Sequence, residues 1–218
     1  MHRDTAIGLF ILAQEQVTKM IRFYAKNGYV FANFYGASGK SCARSLWKVI
    51  PDLSLPDGMP LEEHLSDQGF KKYKVFEDHI MDYSKAFWKK FKVFKKWQEN
   101  MIKFYKENGY IENKFGFRRR GFLSRNEIIN TNIQGSAFQC LLWSAIQVDN
   151  RFKKLKMSSR VMGQIHDSLI TSIHPKEEDV ALPIIKYVME DKLREAHPWV
   201  ITPMDAEFEI TEAGGNWY

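Results

Sequence analysis

Asp167 is the carboxylate whose surroundings best suit metal chemistry. It lies in the segment Gln164-Ile165-His166-Asp167-Ser168. Two apolar-rich arms, 161–165 and 169–173, predict a β-hairpin with His166 and Asp167 at its tip. A carboxylate held by two rigid arms is a suitable magnesium ligand, because Mg²⁺ takes one or two protein carboxylates together with substrate phosphates. The alternative is an ordinary aspartate in a tight turn.

Arg22 and Lys26 are a pair of cations that can bind phosphates. They are four residues apart, so a helix places both on one face. Two fixed cations can clamp a triphosphate, and Tyr35, further along the chain, can stack on a base or a sugar. The alternative is a solvent-exposed helix face without a ligand.

An arginine run at 118–120 begins a third group of polar residues, which continues with Arg125, Asn130 and Gln134. Arginine binds phosphates, and the amides of Asn130 and Gln134, one helical turn apart, can donate to acceptors in a minor groove. The alternative is a basic loop followed by a capped helix. A lysine-rich stretch, 85–106, is open to the same two interpretations, nucleic-acid binding or a solvated amphipathic helix.

The elements that must position these residues are mostly helical. Apolar periodicity predicts helices over 4–34, to about residue 48 after a break at 35–39, and over 82–108, 125–149 and 177–196. Short extended pieces are predicted over 110–124, and a half-buried strand over 204–210, where apolar and acidic residues alternate. Residues 49–80, rich in proline and glycine, are predicted to be irregular, with a short helix near 61–66. Together these elements predict an α+β fold.

Composition excludes several classes of protein. The 218 residues are 44% hydrophobic and 27% charged, so wholesale disorder is excluded. No apolar run is long enough to predict a membrane span. Cys42 and Cys140 by themselves form neither a disulfide framework nor a four-ligand zinc site, and a reducing, cytoplasm-like compartment is expected. The net charge of +6 favours a polyanionic partner.

Taken in order, these segments resemble the C-terminal part of family A DNA polymerases, the polymerase I type, and most closely the bacteriophage forms. The matching segments are 2–6 (ahead of the nucleotide-binding helix), 22–36 (motif B), 87–120 (fingers-to-palm passage), 130–137 (primer-template helix), 164–167 (motif C) and 207–217 (closing strand). Residues 49–80 look like a lineage-specific insertion. The resemblance implies a mostly helical fingers subdomain at 1–109 and part of an antiparallel-sheet palm subdomain at 110–218.

The resemblance also implies a reaction. In template-directed DNA synthesis the primer 3′-hydroxyl attacks the α-phosphate of a dNTP with the help of two Mg²⁺ ions. Asp167 is then the catalytic metal ligand and shares both ions with a carboxylate outside this chain. The expected dNTP-binding residues are His2, Arg22, Lys26, Phe31 and Tyr35. The expected primer-template contacts are Arg118, Arg119, Arg125, Asn130, Gln134 and His166.

Three departures from the family pattern keep more than one interpretation open. Motif A has no match, and Asp82-Tyr83-Ser84, which has similar letters, lies after motif B and is interpreted as a coincidence. Lys26 and Phe31 are five residues apart instead of four, which predicts either a π-type bulge or a stripe held by Val30 and Phe34. Ser168 replaces a frequent acid, and single-subunit RNA polymerases also have His-Asp-Ser, so a piece of such an enzyme is an alternative.

Because motif A has no match, we expect a polymerase that is active only with a second chain carrying motif A, the thumb and, as an open possibility, an exonuclease. A fragment of one intact polymerase and a non-catalytic DNA-binding module fit the same sequence and stay open as interpretations. No membrane contact is expected, and the expected location is the cytoplasm of a bacterium or of a phage-infected cell. An exposed apolar sheet edge predicts poor solubility of the isolated chain.

Overall fold

The computed structural model describes residues 1–212 and 214–215, in two compact units, Met1–Ile133 and Gln134–Tyr218. The helices are α1 His2–Phe10, α2 Lys19–Tyr24, α3 Ala32–Phe34, α4 Gly39–Val49, α5 Leu61–Asp67, α6 Tyr73–Lys90, α7 Lys92–Asn108, α8 Arg125–Lys154, α9 Glu178–Tyr187 and α10 Leu193–Ala196. The strands are β1 Tyr110–Glu112, β2 Arg118–Arg120, β3 Arg160–Ile165 and β4 Ser168–Ser172. Short 3₁₀ helices lie at Gln14–Gln16, Ile50–Asp52 and Pro175–Glu177, and π-helical turns at Ala25–Phe31 and Val188–Lys192. The predicted α+β class is confirmed.

The predicted helix over 4–34 is wrong in one respect, because the chain breaks between α1 and α2. Ile11 ends α1 in the left-handed region, at φ 52°, and its backbone N–H donates to the Ile7 carbonyl. Thr18 then caps α2, and its side chain accepts a hydrogen bond from the Ile21 N–H. These local caps outweigh a periodicity that runs through the break.

The predicted helix over 82–108 is two helices. Phe91 interrupts it with φ −104° and ψ 38°, and α6 already begins at Tyr73. Residues 73–80 are therefore helical rather than irregular, while the short helix predicted near 61–66 is confirmed as α5. Gly109 ends α7 in the left-handed region, at φ 74°, as a C-terminal glycine should.

An aromatic and aliphatic core holds the first unit together. Its largest fully buried side chains include Phe10, Tyr29 and Phe76, and Phe10 and Phe76 stack with ring centroids 6.4 Å apart. The segment predicted as an insertion supplies part of this core, through Leu53, Leu55, Leu61, Leu65 and Phe76. Burial of these side chains ties α5 and α6 to the helices that carry the predicted nucleotide-binding residues.

The second unit is built around the predicted hairpin, which is confirmed. β3 and β4 pair antiparallel from Arg160 opposite Ser172 to Ile165 opposite Ser168, with an irregularity between Val161 and Gly163. The core of this unit consists of buried residues from α8, α9 and the turns beside them: Val148, Phe152, Met157, Ala181, Ile185 and Val188. Met162 and Ile165 of β3 remain exposed.

The strand predicted over 204–210 is wrong. These residues have no regular secondary structure, and Phe208 and Ile210 are exposed. Alternation alone does not make a strand, because a strand needs a neighbour for its backbone hydrogen bonds, and the described residues contain only the pairs β1–β2 and β3–β4. Trp217, at the end of the segment resembling the closing strand, lies outside the described residues.

The boundary between the two compact units falls between Ile133 and Gln134, later than the predicted subdomain boundary at 109/110. β1, β2 and the first turns of α8 belong to the first unit. The names fingers and palm stay a prediction for these two parts of the chain.

Candidate nucleotide and nucleic-acid site

A π-helical turn, Ala25–Phe31, lies between α2 and α3 and explains the irregular spacing of the predicted nucleotide-binding residues. A π turn takes up one extra residue, so side chains five apart lie where side chains four apart lie on an α-helix. Lys26 Nζ is accordingly 4.9 Å from the centroid of the Phe31 ring. Val30 is fully buried in the core and does not share the side of the helix that carries Lys26. Of the two predicted arrangements, the π-type bulge is confirmed.

The structure brings the predicted dNTP-binding residues together in the first unit. We call them the cation–aromatic cluster: His2, Arg22, Lys26, Phe31 and Tyr35. The rings of His2 and Phe31 meet edge to face at 5.8 Å, and those of Phe31 and Tyr35 lie 5.9 Å apart. Lys26 completes the cluster over Phe31, and Arg22 is exposed beside it.

The electrostatics of the cluster suit an anion. Burial, above all, lowers the pKa of His2, and the charges of Lys26, the N-terminal amine and Arg22 lower it further. His2 is therefore neutral at pH 7, and its buried Nδ1 has no hydrogen-bond partner among the described residues. A neutral imidazole next to two cations can donate a hydrogen bond to an oxyanion from its protonated nitrogen without adding a desolvated charge.

An apolar cleft adjoins the aromatic end of the cluster. It has a volume of about 340 Å³. Its lining residues are Phe31, Phe34, Tyr35, Phe91, Phe94 and Ile133. Flat aromatic walls of this kind can accept a planar ring such as a nucleobase.

Two side chains hold the backbone at the end of the cluster. Gln98 Nε2 donates to the carbonyls of Asn33 and Phe34, each over 3.0 Å. Arg125 Nε donates to the Gly36 carbonyl over 3.1 Å, and its Nη2 lies 3.4 Å from Gln98 Oε1. Carbonyls at a helix end need such donors. Sequence patterns did not single out Gln98, and the only signal was a polar residue directly after Trp97 of the apolar stripe of α7.

Asp82-Tyr83-Ser84 has structural partners, in keeping with its interpretation as a coincidence. Asp82 is exposed and forms an ion pair with Lys85 at 2.7 Å. Ser84 is buried, shares a hydrogen bond with the Tyr29 hydroxyl at 2.9 Å and donates to the Ile80 carbonyl. The Ser84 hydroxyl thus satisfies a tyrosine that is itself fully buried.

The three arginines of β2 differ in their partners. Arg119 faces α8, where it forms an ion pair with Glu127 at 2.6 Å and lies 3.4 Å from Thr131 Oγ1. Arg118 forms an ion pair with Glu112 across the β1–β2 pair. Arg120 forms no ion pair among the described residues. The predicted DNA contact of Arg119 therefore competes with a structural role in the first unit.

Two more of the predicted DNA-binding residues lie on α8. Asn130 has a buried Oδ1 without a hydrogen-bond partner among the described residues. Gln134 is exposed and belongs to the second unit. The exposed amide of Gln134 is able to bind an external polar group, whereas the unsatisfied oxygen of Asn130 is buried.

The hairpin tip of the second unit presents Asp167 to solvent. His166 occupies the left-handed region, at φ 51°, which turns the chain between β3 and β4. Gln164 Nε2 donates to the His166 carbonyl over 3.3 Å. The Asp167 carboxylate forms no hydrogen bond or ion pair with any described residue, so all its lone pairs are available to a ligand.

The described residues fit magnesium only in part. They contain no group of three His, Cys, Asp or Glu side chains placed to hold a metal ion. One free carboxylate at a rigid tip suits an ion whose other ligands are substrate oxygens, water and a carboxylate from elsewhere. Within the same residues, no helix is both long and apolar enough to cross a membrane.

Comparison with known proteins identifies a family for residues 64–218, which contain α8 and the hairpin tip but not the cation–aromatic cluster. The profile of DNA polymerase family A matches residues 64–218. DNA polymerase I of Caldicellulosiruptor bescii is 26% identical over 167 residues, covering 71% of this chain and 19% of that protein. DNA polymerase I of Bacillus caldotenax is 22% identical over 230 residues, covering 100% of this chain and 22% of that protein. The chain thus spans about a fifth of the length of these curated relatives.

A solved structure shows the same fold. It is the POL domain of Pol1 from M. smegmatis in complex with DNA primer-template and dNTP, with a TM-score of 0.59 and 20% identity. The match covers 87% of this chain and 30% of that one. The relatives named here are bacterial, and the closeness to bacteriophage forms stays a prediction. On the profile match, which covers well over half of its residues, the chain belongs to DNA polymerase family A.

Proposed function

We propose that this chain forms the nucleotide-binding part and one catalytic carboxylate of a template-directed DNA polymerase. The observation that carries the proposal is the π turn, which holds Lys26 over Phe31 despite the unusual spacing and so assembles the cation–aromatic cluster. The chain's membership of DNA polymerase family A supports the same reaction class.

The cluster binds the incoming dNTP in this proposal. Arg22 and Lys26 neutralise the triphosphate, because two fixed cations favour a group with several negative charges. His2, whose pKa is lowered, donates one hydrogen bond to a phosphate oxygen from its protonated ring nitrogen. Phe31 and Tyr35 lie by the sugar and the templating position, beside the apolar cleft.

Asp167 would hold magnesium at the hairpin tip. When bound, two Mg²⁺ ions activate the primer 3′-hydroxyl and stabilise the charge on the leaving pyrophosphate. Asp167 contributes a carboxylate that the hairpin holds in place and that has no other partner among the described residues. The second carboxylate comes from outside residues 1–218, and we propose that a second chain with motif A and the thumb supplies it.

Primer-template DNA would contact the arginines and α8. Arg118, Arg119 and Arg125 contribute positive charge, Asn130 and Gln134 contribute amides for the minor groove, and His166 lies near the primer end. The M. smegmatis protein, whose fold this chain shares, was solved with primer-template and dNTP, which supports these two ligands.

Primer extension by this chain, with and without a candidate chain carrying motif A, tests the proposal. We expect extension only with both chains, and Asp167→Ala should abolish it while leaving dNTP binding intact. Asp82→Ala is the matched control, because Asp82 is an exposed carboxylate whose partner is Lys85. An Asp167→Ala complex that still extends primers would overturn the metal assignment, and robust extension by the 218-residue chain alone would overturn the need for a partner.

A second candidate is a DNA-binding module without catalysis. Eight lysines lie between 85 and 106, all of them exposed, which favours salt-dependent DNA binding without a reaction. This candidate predicts that dNTPs do not tighten primer-template binding. Incorporation of rNTPs in preference to dNTPs would instead point to a single-subunit RNA polymerase.

A further inference from the structure

Phe122 is an apolar residue whose side chain is fully exposed to solvent. Its relative exposure is 107%. Phe117, which precedes β2 in the chain as Phe122 follows it, is 46% exposed. A phenylalanine stabilises a fold by being buried, so a ring kept wholly outside contributes nothing to the core of this unit. A fully exposed aromatic side chain is suited to contact with a partner.

Tyr105 fixes the loop that carries Phe122. Its hydroxyl donates to the Gly121 carbonyl over 2.6 Å and accepts the Leu123 N–H over 2.9 Å. Gly121 adopts φ 101°, a conformation that residues other than glycine rarely adopt. The two hydrogen bonds enclose Phe122 on both sides along the chain, so the backbone itself points this residue outward.

Two arginines of β2 lie next to this loop on one exposed face. Arg118 and Arg120 both extend over the Tyr110 ring, with Cζ atoms 4.9 Å and 6.0 Å from its centroid. Stacking on an aromatic face orients a guanidinium and leaves its N–H groups outside the ring contact. The N–H groups of Arg120 are free to bind phosphate, while Arg118 Nε donates to Glu112 and only its terminal N–H groups remain for a phosphate. Lys114, in the turn between β1 and β2, is also exposed, and Arg118 is the only one of these cations that forms an ion pair with an acid among the described residues.

We propose that Phe122, Arg118 and Arg120 form a platform for an unpaired nucleic-acid strand, with one base stacked on Phe122 and the phosphates on the arginines. Aromatic rings beside cations are the usual means of binding single strands, because every base has a flat face and every nucleotide a phosphate. If the chain is a polymerase as proposed above, this strand is the single-stranded template. The positive surroundings favour a nucleic acid over an apolar protein surface.

The test measures the affinity of the 218-residue chain for a fluorescein-labelled oligothymidylate of about 12 nucleotides, a length within the site sizes of such platforms. A blunt hairpin duplex serves as the second DNA. Phe122→Ala should weaken oligothymidylate binding about tenfold and leave duplex binding and the salt dependence unchanged. Phe122→Tyr should keep the affinity, and Arg120→Ala should lower the slope of log affinity against log salt by about 0.7.

Val93→Ala is the matched control, because Val93 is 78% exposed on α7 and truncating it should change neither affinity. Three results would overturn the proposal. These are unchanged oligothymidylate binding by Phe122→Ala, an equal loss for both DNAs, and a Phe122→Leu variant that binds as well as Phe122→Tyr, as an apolar protein contact would allow. Primer extension is measured separately. A complex that does not extend primers contradicts the proposed function but not the platform, and a complex that does extend them cannot replace the oligothymidylate result.

Discussion

Arg125 and Gly36 are 89 positions apart in sequence, and the Arg125 Nε donates a hydrogen bond to the Gly36 carbonyl over 3.1 Å. The bond connects the first turn of α8 to the end of the cation–aromatic cluster. Gly36 adopts φ 98°, and a Cβ placed there would lie 3.2 Å from Asn126 and Ile129. The close approach and the hydrogen bond together place the cluster against α8.

Arg125→Lys should separate a positioning role from a phosphate contact. Lysine keeps the charge and lacks the planar fork that reaches both Gly36 and Gln98. We expect dNTP affinity to fall about fivefold, since a lost hydrogen bond costs on the order of 1 kcal/mol. The salt dependence of DNA binding should stay unchanged, and calorimetric dNTP titration together with DNA binding at several salt concentrations measures both. A loss of DNA affinity at every salt concentration with unchanged dNTP affinity would assign the Arg125 fork to the DNA.

The π turn predicts the effect of changing the number of residues between Lys26 and Phe31. Deleting Asn27 should convert the turn to α-helix and keep Lys26 in phase with the aromatic residues that follow. We expect the deletion to retain dNTP affinity within about threefold. Inserting one alanine after Asn27 should rotate the following residues by about 100° and abolish binding. Circular dichroism serves as the folding control, and equal losses in both variants would contradict the role given to the π turn.

Glu177 should make the stability of the second unit depend on pH. Its carboxylate accepts hydrogen bonds from the Ser158 and Ser159 N–H groups and the Ser159 hydroxyl, and these lower its pKa from 4.5 to about 2. A carboxylate with a lowered pKa in the folded state stabilises it above the unfolded-state pKa, and the effect is lost as pH falls to the folded one.

The corresponding variant is Glu177→Gln. It should lower the melting temperature at pH 7, and the difference from the parent should shrink as the pH falls from about 4.5 toward about 2. Glu178→Gln, an exposed neighbour, is the control and should melt as the parent does at each pH. A difference that stays constant over this range would show that the charge of Glu177 is not the cause.

Tyr105→Phe should loosen the loop around Phe122 without changing the Phe122 ring, which we propose stacks on a base. The variant loses the hydroxyl and with it both hydrogen bonds to the loop. Hydrogen exchange of the Leu123 amide should become faster, and oligothymidylate affinity should fall by a factor of about five. If the amide exchanges faster and the affinity is unchanged, the clamp does not position Phe122 for binding.

The elements that rest on periodicity or on strong end signals could mostly be predicted from the sequence. The long helix through Ile129 and Leu141, the hairpin around Asp167 and the end of α7 at Gly109 are confirmed. These features depend on which residues are apolar and on glycine, and both are visible in a single sequence.

The features that sequence patterns missed depend on partners distant in sequence or on backbone conformation. Ile11 and Phe91 interrupt helices although neither is a glycine or a proline, so the residue type gives no sign of the break. The segment at 204–210 has the alternation of a strand, and no described segment pairs with it. Gln98 was missed because its role exists only where the Asn33 and Phe34 carbonyls meet it.

The cation–aromatic cluster could be predicted as a set of residues, while its geometry could not. Spacing alone left the π turn and the Val30–Phe34 stripe equally open. The structure decides between them because Val30 is fully buried and Phe31 is not. The choice depends on which side of the helix the core covers, which is a property of the whole first unit.

The π turn also bears on how such chains are recognised. The π turn gives Lys26 and Phe31, five residues apart, the relative orientation about the helix axis that residues four apart have on an α-helix. A pattern that fixes this spacing at four residues therefore does not match Lys26 and Phe31, although the two side chains meet. A pattern that allows one extra residue between these two positions should match further chains with the same arrangement.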